Sequence, residues 1–310
     1  MNRYARELSV AGAWVILLVV LAVLAPGFFQ LQPLLSLATR EVPTLLVVCG
    51  MVPVILARQI DISVGSQFSV CSVIAGLGAA AQWPLAAVVV AALATGAALG
   101  LINAVFVAGL RLPSIVVTLA TMVTLRQGLN LVRQGEFVNL PAGVQWFGLS
   151  QAAGQLTLVV GAGAVAAVLA WGLHGLAAGR FVYAVGSDAE AARLAGISPG
   201  WVTCNVFVVL GMLTGLAAVT NIVQSPQVQP LTGSGLELKV IAAVVVGGVA
   251  ISGGRGRLVG AVLGLLLLAC IPPALVHLRI EAYWEKALQG LIIILAVMAD
   301  GWKTRGEGRR

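Results

Sequence analysis

The chain has 310 residues, of which 60% are hydrophobic and only 9% charged, with a mean hydropathy of +1.03. A soluble domain is about half apolar and a quarter charged, so no water-surrounded fold hides this much apolar surface, and a bilayer must cover it. The net charge of +7 does not mark a nucleic-acid binder, because the basic residues stand singly between apolar runs and at the two ends, as membrane anchors and topology signals do.

Taken in order, the apolar runs are Val10–Phe29, Pro43–Ala57, Ile62–Ala81, Pro84–Gly109, Pro113–Leu131, Gly154–Leu173, Trp201–Val223, Leu238–Ile251, Leu258–Val276 and Trp284–Ala299. The expected fold is all-α and polytopic, with about ten transmembrane helices in one domain over 1–310. The first run, preceded by Arg3 and Arg6, has the flavour of a signal peptide, but it ends in Ala25-Pro26 without a small-x-small site and reads as a retained span. The second and eighth runs fall short of the ~20 residues that cross a bilayer and abut polar, glycine-bearing segments, which suits broken or tilted helices. With a cytoplasmic N-terminus, all but Arg40, Arg126, Arg133, Lys239, Arg279 and Lys286 of the 18 Lys and Arg fall on the cytoplasmic side. That bias predicts both termini inside and makes 176–200 the largest cytoplasmic loop.

The second and third runs are joined by Gln59-Ile-Asp61-Ile-Ser63-Val-Gly65-Ser66. An acid at membrane depth costs about 2.5–3.5 kcal/mol and persists only where it faces protein, water or a substrate path. The segment points to transport. Glu41, an apolar run and Ser63-Val-Gly65 are echoed by Glu237, an apolar run and Leu258-Val-Gly260. The echo suggests half-repeats over roughly 31–135 and 201–300, as in many transporters, with chance similarity between Gly/Val/Ala-rich stretches as the alternative. Gly96xxxGly100, Gly211xxxGly215 and Gly256xxxGly260xxxGly264 predict tight helix packing rather than dimerisation.

In the loop 176–200, Ser187 with Glu190 reads as a capping box. Gly196 reads as a left-handed cap, with Pro199 blocking continuation. A helix of about two turns, Asp188 to Ala195, is expected between them. So short a helix is marginal alone, so it is expected to pack on something. It is either a docking element for a cytoplasmic partner or an ordinary capped loop helix. The four cysteines, Cys49, Cys71, Cys204 and Cys270, lie in apolar runs without CxxC spacing, so neither a disulfide framework nor a metal site is expected. His174 and His277 are far apart at run ends, and no catalytic constellation or cofactor site is visible.

Four segments, in order, resemble the ribose-type ABC sugar permeases. Gln59-Ile-Asp-Ile-Ser-Val-Gly-Ser66 is similar to their G-I-D-L-S-V-G-S, and Gly100-Leu-Ile-Asn103-Ala to their G-L-x-N-G. Leu112-Pro-Ser-Ile-Val-Val-Thr118-Leu-Ala-Thr121 is similar to P-x-I-V-T-L-G-T. Glu237 through Gly248, with Gly253 through Gly260, is similar to E-x-x-x-I-A-A-x-x-x-G-G…G-G-x-G-x-x-x-G. The loop resembles their coupling segment at Gly186, Ala191, Ala192, Gly196 and Ile197, with Asp188 where Asn is usual. The likeness covers about Leu31 to Trp302 and looks most like the rhamnose and autoinducer-2 branch.

The resemblance implies the membrane permease of a bacterial inner-membrane importer. Its partners would be a periplasmic sugar-binding protein, a cytoplasmic ATPase and a second permease, identical or related. The chain has no GxxxxGK[ST] to cradle phosphates. This is consistent with what the resemblance implies, that ATP hydrolysis belongs to a partner and that the chain is a non-catalytic translocation subunit. A weak polar path for a hydroxyl-rich solute is expected from Gln59, Asp61, Ser63, Ser66, Asn103, Thr118, Thr121, Asn130, Asn221 and Gln224. Asp61 is alternatively a brace, paired with Arg58 or Arg257. Glu237 is expected to cap its helix. ATPase coupling is expected at Ser187, Asp188, Glu190, Ala191, Ala192, Arg193, Gly196 and Ile197. A secondary transporter driven by an ion gradient is the rival, and it predicts more buried carboxylates than Asp61 alone.

Overall fold

The computed structural model describes residues 5–24 and 26–277 and, beyond them, Glu281, Trp284, Ala287, Leu288, Gly290, Leu291, Ile294 and Met298. Most of the tenth apolar run, Trp284–Ala299, the end of the second half-repeat and the basic extremities lie outside the described residues. Twelve α-helices run in order: α1 Ala5–Leu24, α2 Leu31–Leu56, α3 Val64–Ala80, α4 Leu85–Ala104, α5 Ser114–Arg133, α6 Gln151–Gly175, α7 Ala177–Ser187, α8 Ala189–Leu194, α9 Pro199–Ile222, α10 Leu236–Val246, α11 Leu258–Ala269 and α12 Ile271–His277. A π-turn, Val105–Gly109, extends α4. Among the described residues six helices are long and apolar enough to cross a bilayer: Leu31–Leu56, Leu85–Gly109, Ser114–Arg133, Gln151–Gly175, Pro199–Ile222 and Leu258–Val276. Leu8–Val23 and Val64–Ala80 are shorter apolar helices.

The second apolar run is not a short helix. It is the C-terminal part of α2, 26 residues long, which runs through Pro43 and Pro53. Prolines end helices in water because the freed carbonyls need partners. In a membrane bundle neighbouring helices and local adjustments meet that need. The α2 residues from Glu41 onward are buried almost throughout. They are surrounded by α9, α6, α10 and α11. The eighth run is short, as expected: α10 spans only 11 residues.

The helices α4, α5 and α6 bury little of their length and turn apolar side chains outward, among them Val90, Val116, Val123, Val160 and Val168. Their surface suits lipid or another protein. The most extensive helix pair is α4 on α9. The glycine ladders make it possible. A Cβ on Gly96 would collide with Gly211 O, one on Gly100 with Phe207 O, and one on Gly215 with Ala92 O. Such close approach is the usual substitute for the hydrophobic effect between helices in lipid. The third ladder is shorter than the spacing suggested. Gly256 lies before α11 with φ +134°, and only Gly260 and Gly264 are helical, packing on Gly247 and Ala243 of the α10 end.

One feature departs from an all-helical chain. Val138–Asn139 pairs antiparallel with Gln227–Val228. This ribbon ties the end of α5 to the end of α9, helped by Trp146 N–H donating to Val223 O at 2.9 Å. Two residues per strand are too few to leave a periodic signal in the sequence.

Candidate functional site

The connection 57–63 turns at Ala57 and Arg58, the latter at φ +63°, and then passes beside the first turns of α5. Ile60 N–H donates to Ser114 Oγ at 3.2 Å, and Ile62 N–H donates to Thr118 Oγ1 at 3.1 Å. The spacings match. Two extended residues advance about 6.6 Å and four helical residues about 6 Å. Hydroxyls one helical turn apart on α5 thus receive backbone N–H groups of a segment that belongs to no helix or strand.

Asp61 is fully buried within this connection. Its Oδ1 accepts from Ser63 N–H at 2.8 Å and Ser63 Oγ at 2.6 Å. Its Oδ2 accepts from Gln67 Nε2 at 3.0 Å and Asn103 Nδ2 at 3.1 Å. The same two amides also donate to Ser63 Oγ, at 2.8 and 2.9 Å. Thr121 Oγ1 donates to Asn103 Oδ1 at 2.8 Å. The cluster therefore locks the connection, α3, α4 and α5 together through one carboxylate. A buried carboxylate with four donors is a stable arrangement, and one with fewer is not. Ser66 bonds to Met122 O at 2.9 Å and adds to the α3–α5 seam.

The brace expected between Asp61 and an arginine is not made. Arg58 Nε donates to Ser252 O at 2.7 Å, and Arg257 Nε to His174 Nε2 at 3.4 Å. Neutral amides and hydroxyls hold Asp61 instead, and they keep no second charge in the membrane interior. Gln67 was not among the sequence candidates. Its signal was present, since it stands four residues from Ser63 on an apolar helix and therefore shares a face with it. Its Oε1 is buried without a hydrogen-bond partner among the described residues.

Of the other path candidates, Gln59 contributes its backbone N–H, to Val54 O at 3.0 Å. Asn130 Nδ2 bonds to Gln127 Oε1 at 3.4 Å, and Gln224 Nε2 to Thr220 O at 2.8 Å. Asn130, Asn221 and Gln224 share no hydrogen bond with the Asp61 cluster among the described residues.

Glu237 does not cap α10 with its side chain. Gly235 is the N-cap, and Glu237 pairs with Arg126 of α5 at 3.2 Å. Lys239, two residues on, pairs with Glu41 of α2 at 2.7 Å. The start of α10 is thus pinned by ion pairs to α2 and α5. It lies against the start of α3, because a Cβ on Gly65 would collide with Glu237 Oε2 and Gly233 O. Glu41 Oε2 and Glu237 Oε2 are buried without hydrogen-bond partners among the described residues.

After α10 the chain breaks again, over 247–257. Left-handed glycines at 248, 253 and 254 turn it so that Gly254 N–H donates to Leu56 O, the end of α2, at 2.9 Å. The end of α7 lies on the same spot, since a Cβ on Gly186 would strike Leu56 O and come within 2.7 Å of Gly254 N. Both breaks and the end of α7 therefore meet at one backbone junction.

The helix α8 leaves that junction directly. Its cap differs from the expected capping box. Ser187 closes α7, and Asp188 is the N-cap, accepting from Glu190 N–H at 2.9 Å and Ala191 N–H at 3.0 Å. Glu190, freed from capping, bonds Arg193 at 2.6 and 3.1 Å. That contact raises the pKa of the guanidinium above its ordinary value. The far end is as predicted and better defined. Gly196 is left-handed at φ +82°, Gly196 N–H donates to Arg193 O and Ile197 N–H to Ala192 O, each at 3.0 Å, forming a Schellman motif. Pro199 does not merely stop this helix; it occupies the first turn of α9, with Ser198 as N-cap. Ala192 is buried, while Glu190, Ala191, Arg193 and Leu194 are exposed.

The family model for the permease component of branched-chain amino acid transport systems matches residues 34–297, and the chain belongs to that family as the membrane permease subunit of an ABC import system. It is 32% identical over 296 residues to the ribose import permease protein RbsC of Escherichia coli K12, covering 94% of this chain and 92% of RbsC. It is 35% identical over 297 residues to the autoinducer 2 import system permease protein LsrC of Enterobacter sp. 638, covering 96% of this chain and 87% of LsrC. LsrC of Salmonella typhi is likewise 35% identical, over 303 residues. No solved structure gives a significant match.

Proposed function

We propose that the chain imports a monosaccharide or a similar small polyol across the bacterial inner membrane, with both termini and α8 in the cytoplasm. The family model is named for branched-chain amino acids. The relatives aligned over nearly the whole chain are named for ribose and for autoinducer 2, and they support the hydroxyl-rich solute. A periplasmic binding protein selects that solute and delivers it. A separate cytoplasmic ATPase, of which two copies require two permease chains, drives the cycle.

The observation that carries the coupling reading is the junction of Gly186, Leu56 and Gly254. A push on α8 bears through the end of α7 on both helix breaks at once, without an intervening flexible side chain. The rocking of elements around a fixed site is the general manner of such transporters. In this reading Asp61, Ser63, Asn103 and Thr121 chiefly brace the moving parts. Gln59, Ser66, Thr118, Asn130, Asn221 and Gln224 are retained as path candidates.

The test is purification of the tagged protein from detergent-solubilised membranes with identification of what accompanies it. An ATPase is expected with the wild type and not with a Glu190→Arg, Ala191→Trp double variant. A second permease in the same preparation would show how the chain pairs. If the intact protein brings no ATPase, the coupling reading falls and transport driven by an ion gradient takes its place.

A further inference from the structure

Arg58 and Arg111 both adopt left-handed backbone, with φ of +63° and +57°. One follows α2 and the other follows the π-turn that extends α4. Glycine takes this conformation freely and arginine does not. For Arg58 the compensation is visible in its bond to Ser252 O. Arg111 is exposed and makes no hydrogen bond or ion pair among the described residues. An exposed guanidinium with no partner in the chain is available to an anionic ligand.

The surroundings of Arg111 define what that ligand is. The arginine lines a cleft of about 1000 Å³ between the π-turn, α8 and the start of α9. Glu190 and Arg193 also line it and neutralise each other at 2.6 Å. One positive charge is therefore left uncompensated. Apolar residues line the cleft too, including Val107, Ile197 and Pro199.

The chain beside the cleft is apolar and outward-facing: Leu110 is 61% exposed, Leu112 43% and Trp201 60%. Residues 110–113 form the turn between two helices of membrane-crossing length, Leu85–Gly109 and Ser114–Arg133. The cleft therefore opens where the hydrocarbon ends. An arginine between leucines with a nearby indole, at that level, is the arrangement that holds lipid headgroups.

We propose that this cleft binds the phosphate of an anionic phospholipid, with Arg111 on the phosphate and acyl chains along Leu110, Leu112 and Trp201. Free phosphate would use the cation but leave the apolar surround unused. The site does not depend on which solute the chain carries.

The experiment uses the full-length protein in nonionic detergent. Native mass spectrometry follows lipid retention after equal additions of phosphatidylglycerol, phosphatidylcholine or inorganic phosphate. Thermal unfolding is read in parallel. Wild type should retain phosphatidylglycerol over phosphatidylcholine. Arg111→Gly, which relieves the backbone while removing the charge, should unfold no earlier than wild type when lipid-free. It should nevertheless retain phosphatidylglycerol about 5-fold less, the effect expected of one basic residue at an anionic surface. Arg111→Lys should keep most of the retention. Equal retention by Arg111→Gly overturns the proposal, as does displacement of the lipid by inorganic phosphate. So does a loss confined to ATPase co-purification, which would assign the cleft to the protein partner instead.

Discussion

The two helix breaks face the same physical problem and meet it differently. Where a membrane helix stops, its last carbonyls and the next helix's first N–H groups need partners that lipid does not supply. After α2 the chain uses side chains. Asp61, Ser63, Gln67, Asn103 and Thr121 form a hydrogen-bonded cluster, and Ser114 and Thr118 receive the backbone. After α10 it leans mainly on backbone, with Arg58 Nε on Ser252 O and Tyr183 Oη on Gly256 O as the side-chain additions. Left-handed glycines fold 247–257 so that Ala250 N–H reaches Arg255 O at 2.8 Å and Gly254 N–H reaches Leu56 O at 2.9 Å. A side-chain cluster is specific and stiff, because each member satisfies several others. A glycine turn tolerates very close approach, and that is why α7 can come to rest on the second break.

The largest effect should come from Asp61→Ala. It strands donors on Ser63, Gln67 and Asn103 in a buried site, at about 1–3 kcal/mol for each group left unsatisfied. The yield of monodisperse protein in gel filtration should collapse. A well-behaved Asp61→Ala protein would show that the first break is not held by its side chains.

Next is Gly254→Val at the second break, where a Cβ would meet Ser187 Oγ and the left-handed φ of +67° is unfavourable to a branched residue. Backbone strain of this kind costs about 1–3 kcal/mol. Uptake should fall further than membrane abundance does. Gly128→Ala on α5, with nothing within 4 Å of its Cβ, is the matched control and should leave both unchanged.

Thr121→Val removes one hydrogen bond to Asn103 without changing shape. It should cost about 1 kcal/mol, read as a small fall in the thermal midpoint. If it matches Asp61→Ala, the cluster is cooperative well beyond its individual bonds.

Asp188→Ala is the smallest in stability, about 1 kcal/mol and confined to α8. Its diagnostic readout is ATPase co-purification, which should weaken while the bundle's midpoint stays put. A shift of the whole bundle would instead tie α8 to the core more firmly than its exposure suggests.

Composition and hydropathy alone mark a helical membrane protein, because apolar runs of membrane length have no other cover. The sequence also pointed to Asp61 as a residue needing explanation, since an acid cannot sit idle among Ile, Val and Leu. It located α8 to within a residue or two from glycine and proline punctuation, although the cap proved to be Asp188 rather than Ser187. Both residues are good caps one position apart, and only the backbone of the preceding α7 decides between them. The length of α2 was hidden for a similar reason: Pro43 reads as a boundary in isolation, and only surrounding helices make it tolerable. Ser63, Asn103 and Thr121 stood beside Asp61 among the polar candidates but not as its partners, and the partners of Glu237 and Glu41 were not legible at all. The partners of these three acids come from α3, α4, α5 and α10, up to 198 positions away in the case of Lys239 and Glu41. Periodicity and capping are local and survive in the sequence. Which polar group meets which across a bundle depends on how the helices stack, and that was decided only by tertiary packing around the buried length of α2.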